Sequence, residues 1–195
     1  MATRVAVLAS GGGTNFENLA HRAGDIGIEI AVLVTDSADA FAINRAERLG
    51  IPYVVHPRGE HPSKSAHESA IIETLRTYDI SYVLLAGYMR ILSAGFIESF
   101  ERSIINVHPS LLPSFKGRDG IRDAYEYGVK VTGVTVHFVD AGIDTGEIID
   151  QMPVMIEAED TLEAVAHKIH ETEYALYPKA IKKVLKERDD EKSTH

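Results

Sequence analysis

Short runs that are apolar at every position, rather than at alternate ones, constrain this chain more than any other feature. Ile28 to Thr35, Tyr53-Val54-Val55 and Ser103 to Val107 read as strands, but the five-residue runs Val5-Ala6-Val7-Leu8-Ala9 and Tyr82-Val83-Leu84-Leu85-Ala86 are apolar throughout and stop at Ser10 and Gly87. A strand of that kind has no face to offer water, so it belongs in a parallel sheet covered on both sides. The intervening segments supply the cover. Phe16, Leu19, Ala20 and Ala23 recur at helical spacing, as do Ala42, Ile43, Ala46 and Leu49 before Gly50, and Ala70, Ile71, Leu75 and Tyr78. The β-α-β-α order predicts a doubly wound α/β domain, with any ligand held across the carboxyl ends of its strands.

The later chain modifies that plan. Ser93 can cap a helix, and Ile121, Ala124 and Tyr125 mark another that Gly128 closes. Val131 to Val139 alternates as a strand, turns through Asp140 to Glu147, and Ile148 to Ile156 returns as its antiparallel partner, with Pro153 marking an edge. The expectation is therefore a mostly parallel sheet with an antiparallel edge. From Thr161, the residues Leu162, Val165, Ile169 and Ala175 outline a long helix that Pro178 kinks or restarts, ending near Leu185. Residues 1–185 are expected to form a single domain, and 186–195 a charged, frayed tail.

Composition narrows the partner. A net charge of −9 and a pI near 5.4 oppose a sequence-independent hold on nucleic acid or anionic lipid, which needs lysine and arginine against phosphate. A small molecule is the expected ligand. With no cysteine there is no disulfide or thiolate metal site; the amino terminus runs directly into a strand rather than a signal segment, and no apolar run is long enough to span a bilayer. These features lead us to expect a cytoplasmic location.

Chemistry concentrates where the Ser103 run ends, in Asn106-Val107-His108-Pro109-Ser110-Leu111-Leu112-Pro113. Asn106 and His108 are two residues apart, so an extended chain sends both side chains to one face. An amide can donate to a developing oxyanion while an imidazole moves a proton, which suits a carbonyl becoming tetrahedral; a capped strand end with a surface histidine is the alternative. Ser10-Gly11-Gly12-Gly13-Thr14 lies between a strand and a helix N-terminus, the setting for anion binding, although a tight turn would need the same glycines. Lys64, a cation at an unfavourable helix start, either serves an anionic ligand or solubilises the surface. Met89-Arg90-Ile91-Leu92 either walls a flat ligand or plugs the sheet end. Asp140 and Asp144 either place a carboxylate by His108, favouring its protonated form, or simply form the turn.

Other chemistries fit less well. His167 and His170 share a helix face, but the spacing lacks the glutamate and third ligand of a metal site, so no metal is expected. The glycine loop and Asp36 are laid out as in a dinucleotide fold, yet Phe16 occupies the position where that fingerprint needs glycine or alanine. No Gly-Lys-Ser or Gly-Lys-Thr follows the glycines, which excludes a phosphate-loop nucleotidase.

The motifs Ala9 to Asn15, Leu85 to Leu92, Asn106 to Pro113, and Gly133 to Gly146 together resemble the folate-dependent formyltransferases, over essentially the whole chain. The resemblance implies a formyltransferase-like α/β fold that moves the formyl group of 10-formyltetrahydrofolate to the amine of glycinamide ribonucleotide in purine biosynthesis, as a monomer or homodimer without metal. It makes Asn106, His108 and Asp144 the catalytic trio. It gives Gly11, Gly12, Gly13, Thr14 and Glu173 to the nucleotide, and Lys64, Met89, Arg90, Ile91, Leu92, Asn106, Val139, Asp140 and Asp144 to the folate. Larger members, which formylate methionyl-tRNA or deformylate the folate, carry an extra domain with no counterpart in these residues. One departure stands out: Lys116 replaces the usual proline before Gly117 and is followed by Arg118-Asp119, which alters the shape and charge of the loop beyond Pro113.

Overall fold

The computed structural model describes residues 2–193. Five strands run parallel: β1 (Thr3–Leu8), β2 (Ile28–Thr35), β3 (Tyr53–Val55), β4 (Tyr82–Leu85) and β5 (Ile104–His108). β6 (Val131–Phe138) and β7 (Ile148–Met155) then add antiparallel, and the sheet order is β3-β2-β1-β4-β5-β6-β7. Pro153 lies on the edge strand β7, where its missing N–H costs no inner ladder bond. Strand order reverses between β1 and β4, so a crevice opens beyond their carboxyl ends.

The apolar runs of the inner strands β1 and β4 are buried on both faces, whereas β3 at the sheet edge leaves Tyr53 exposed. In β1, Val5 and Val7 join the core under α1 (Thr14–Ile26), α2 (Ala42–Leu49) and α6 (Leu162–Ser193), while Ala6 and Leu8 face Ile71, Leu75 and Phe96 of α3 (Lys64–Thr77) and α4 (Ala94–Ser99). Full burial of each such Val or Leu contributes roughly 1.5–3 kcal/mol. Phe16, the residue that breaks the dinucleotide fingerprint, is itself completely buried in the first core. Gly13 caps α1 at φ 73°, and a Cβ there would lie 2.6 Å from that of Ala42, so α2 packs where no side chain fits.

Helix α6 holds Pro178 within one element, so the helix does not restart there. Proline removes the bond that the Tyr174 carbonyl would receive, and Asn18 Nδ2 donates to that carbonyl at 3.0 Å instead. The helix also extends beyond the expected end near Leu185 to Ser193; the segment has good helix formers, no glycine or proline, and an Arg188 guanidinium 5.4 Å from the Tyr82 ring centre. Only Thr194 and His195 of the expected tail lie outside the described residues. Tyr177 fastens the helix to the sheet, its hydroxyl lying 3.0 Å from the Leu85 carbonyl and 2.9 Å from that of Ile105. Among the described residues, no helix is long and apolar enough to cross a membrane.

Candidate active site

A cleft of about 660 Å³ occupies the switch point. Asn106 and His108 enter it from the carboxyl end of β5, which is held by a compact polar knot. Thr135 Oγ1 donates to the Ser110 carbonyl at 2.7 Å and accepts from the Leu112 N–H at 3.0 Å and from Gln151 Nε2 at 2.9 Å. The prolines stop the strand, and the threonine fixes where the chain goes next.

The partners of His108 define its tautomer. Nε2 lies 2.9 Å from the Phe115 carbonyl, which can only accept, so Nε2 carries a hydrogen. Nδ1 is then the exchangeable position, 3.5 Å from Asp144 Oδ2. Asp144 adopts φ 49°, a left-handed conformation that aspartate tolerates better than most residues, and Oδ2 accepts the Gly117 N–H at 2.8 Å. Gly146, two residues on, packs so closely on the Phe138 carbonyl that any Cβ would overlap it. Asp140 shapes the same loop by accepting from the Gly142 N–H at 3.1 Å and the Thr145 hydroxyl at 2.7 Å, so its turn-forming role is real while it also lines the cleft.

His137 joins this group without having been singled out from sequence. Its Nδ1 donates to the Phe138 carbonyl at 2.8 Å, leaving Nε2 to accept from Asn106 Nδ2 at 3.2 Å. Burial pushes its pKa below the ordinary value, against the raising effects of the Phe138 carbonyl and Asp144, and so favours this accepting form. Asp144 Oδ1 lies 3.7 Å away. The signal was the cross-strand register, Asn106 opposite His137, which only the paired sheet reveals.

Gly11 to Thr14 line the far side of the cleft. The Gly11 carbonyl accepts from the Ala42 N–H at 3.0 Å and the Gly12 carbonyl from Arg45 Nε at 2.8 Å. In trans peptides this turns the Gly12 and Gly13 N–H groups away from α2. Glu173, only 7% exposed, faces the same region, and Asn15 Nδ2 donates to it at 2.9 Å. Burial pushes its pKa up to about 7, despite the opposing hydrogen bond. His170, one helical turn away, also lines the cleft.

The opposite wall is apolar. Met89, Ile91, Leu92 and Val139 line it, with Met89 and Ile91 more than half exposed, while Arg90 reaches back to an ion pair with Asp36 at 2.5 Å. Lys64 lies outside this lining, with Nζ 3.8 Å from Glu68 Oε1; that carboxylate accepts the Ser93 N–H at 2.9 Å at the end of the wall. Lys116 and Arg118 flank the backbone atoms that anchor this loop, the Phe115 carbonyl and the Gly117 N–H, and Arg118 also lines the cleft.

A strand-end amide and imidazole, an adjoining carboxylate, a glycine loop and a flat apolar wall in one cleft suit group transfer between two bound molecules. The formyl transferase family model matches residues 3–181. Phosphoribosylglycinamide formyltransferase of Bacillus subtilis is 43% identical over 93% of this chain and 94% of its own length. Among solved structures, glycinamide ribonucleotide transformylase 1 from Geobacillus kaustophilus superposes with a TM-score of 0.92 at 43% identity, covering 95% of this chain and 100% of that one. Phosphoribosylglycinamide formyltransferase from Bacillus halodurans gives 0.91 at 44% identity, covering 94% and 95%. With the match spanning the sheet, the glycine loop and the strand-end motif alike, the chain belongs to the formyl transferase family.

Proposed function

We propose that this protein transfers the formyl group of 10-formyltetrahydrofolate to the amine of glycinamide ribonucleotide, giving formylglycinamide ribonucleotide and tetrahydrofolate in de novo purine biosynthesis. The observation that carries this reading is the convergence, in one cleft, of an anion-binding loop, a polar strand end and an apolar wall. The nucleotide phosphate sits on Gly11, Gly12, Gly13 and Thr14 at the opening of α1, and Glu173 meets its glycinamide end. The pteridine lies against Met89 to Leu92 and Val139 to Asp144, with the anionic tail of the folate directed toward Lys64.

The amine attacks the formyl carbon, the C=O electrons move onto oxygen, and the amide proton of Asn106 with the imidazolium of His108 stabilise that oxyanion. The attacking nitrogen loses a proton, N10 of the folate gains one as its bond to carbon breaks, and His108 with Asp144 relays the charge. His137 keeps the Asn106 amide turned to the reaction. Alignment supplies much of the rate, since well-oriented partners reach effective molarities of about 10⁵ M or more. We read residues 1–185 as one catalytic domain working in the cytoplasm, as monomer or homodimer, on small molecules rather than nucleic acid or membrane.

Incubating the protein with both substrates should release tetrahydrofolate only when the nucleotide is present. Release of formate and tetrahydrofolate without the amine would make it a deformylase instead. The phosphate assignment has its own test in Gly12→Asp, which adds a carboxylate where nothing lies within 4 Å of the new Cβ. Calorimetry should show nucleotide binding weakened by about 1.5–3 kcal/mol, roughly ten- to a hundredfold, with folate binding unchanged; equal losses for both would move the phosphate elsewhere.

A further inference from the structure

The two walls of the cleft come from opposite sides of the switch point, and one residue joins them. Ser10 stands between β1 and the glycine loop, where its N–H donates to the Gly87 carbonyl at 3.1 Å and its Oγ accepts from the Met89 N–H at 2.9 Å. Gly87, at φ 74°, turns the chain out of β4 toward that hydroxyl. The next residue is held from behind: Arg90 Nε donates at 2.5 Å to Asp36 Oδ2, on a carboxylate only 8% exposed just past the end of β2. Burial raises the Asp36 pKa, but the Ser10 hydroxyl and the Arg90 guanidinium outweigh it and hold the group below its ordinary value. Ser10 lines the cleft and Asp36 stands behind it. The sheet itself does not depend on either side chain, because β1 and β4 pair through their own backbones from Val5 opposite Tyr82 to Leu8 opposite Leu85.

We propose that Ser10 and Asp36 are positioning residues that fix the distance between the nucleotide half-site and the folate half-site. The hydroxyl sets the Met89 to Leu92 wall against the glycine loop, and the carboxylate stops that wall from swinging about Gly87. This rests on the formyl-transfer reading, in which an amine held by one wall must meet a carbon held by the other. Misplacement by about 1 Å can cost about a hundredfold in such a reaction, so the effect falls on turnover rather than on either binding step alone.

The test compares Ser10→Ala, Asp36→Asn, their double variant and Ser10→Thr, which keeps the hydroxyl. Melting temperature, kcat, both Michaelis constants, and calorimetric Kd values for glycinamide ribonucleotide and for tetrahydrofolate are measured on each. Each single variant should lose about tenfold or more in kcat with either Kd changed less than about threefold. The double variant should be no worse than the weaker single, because both act through one segment, and Ser10→Thr should recover most of the rate. Lower melting temperatures with wild-type kcat, or losses that multiply in the double variant, would overturn the proposal. Wild-type protein that binds neither probe would instead overturn the formyl-transfer reading. Should Ser10→Ala not fold, Asp36→Asn and Ser10→Thr carry the same comparison.

Discussion

Asp144→Asn is expected to lower turnover by roughly 10²- to 10⁴-fold, with the Michaelis constants of both substrates changed only a few-fold. The carboxylate has neighbours on both oxygens: Oδ2 takes the Gly117 N–H at 2.8 Å and faces His108 Nδ1 at 3.5 Å, while Oδ1 faces His137 Nε2 at 3.7 Å. An amide can satisfy only one side. If its oxygen keeps Gly117, its NH₂ turns to His137 Nε2 and competes for the lone pair that now orients Asn106. If it flips, NH₂ opposes the Gly117 N–H and the loop over His108 loosens. Either way the charge that sustains an imidazolium is gone, and that charge matters more in the reacting state than in the bound one. Steady-state kinetics of both proteins decide the matter; near-normal turnover would leave Asp144 as a turn residue of the loop it shares with Asp140.

Glu173→Gln should make the protein more stable and less active, and both effects follow from burial. The folded-state pKa stands near 7, above the ordinary 4.5, so the fold favours the protonated carboxyl. Its stabilising contribution is complete below about pH 4.5 and is lost as pH rises through 7, a difference of about 3 kcal/mol across that window. Glutamine resembles the protonated form at every pH. The variant should therefore melt well above wild type at pH 8, with the gap shrinking toward pH 5. Nucleotide binding should move the other way, weakening by roughly tenfold or more above pH 7, where wild-type Glu173 offers the substrate a charge and glutamine cannot. Parallel melting curves would mean that the carboxyl titrates as an ordinary one, and unchanged nucleotide affinity would place the glycinamide elsewhere.

The contrast between these two carboxylates illustrates how environment divides labour. Asp144 is tied to a backbone N–H and stands between two imidazoles, whereas Glu173 has the single Asn15 amide within an otherwise desolvated pocket. Spacing alone could not have separated them.

What the chain determines by itself is whatever depends on neighbours in sequence. Continuous apolar runs and helical spacing specified the parallel α/β core, Pro153 marked the edge, and the two-residue interval from Asn106 to His108 placed both on one strand end. Only the tertiary structure could supply relations between distant segments. His137 meets Asn106 across 31 positions through strand register, Asn15 meets Glu173 across 158, and Met89 meets Ser10 across 79 through the strand reversal. The same holds for Pro178, which reads locally as a kink or a restart; the helix continues through it, and Asn18, 156 positions from Tyr174, takes over the abandoned carbonyl. Local dihedral preferences and periodicity are short-range and can be read along the chain; hydrogen-bond partners are chosen by proximity in space, which pairing and packing create only after the strands have found their order.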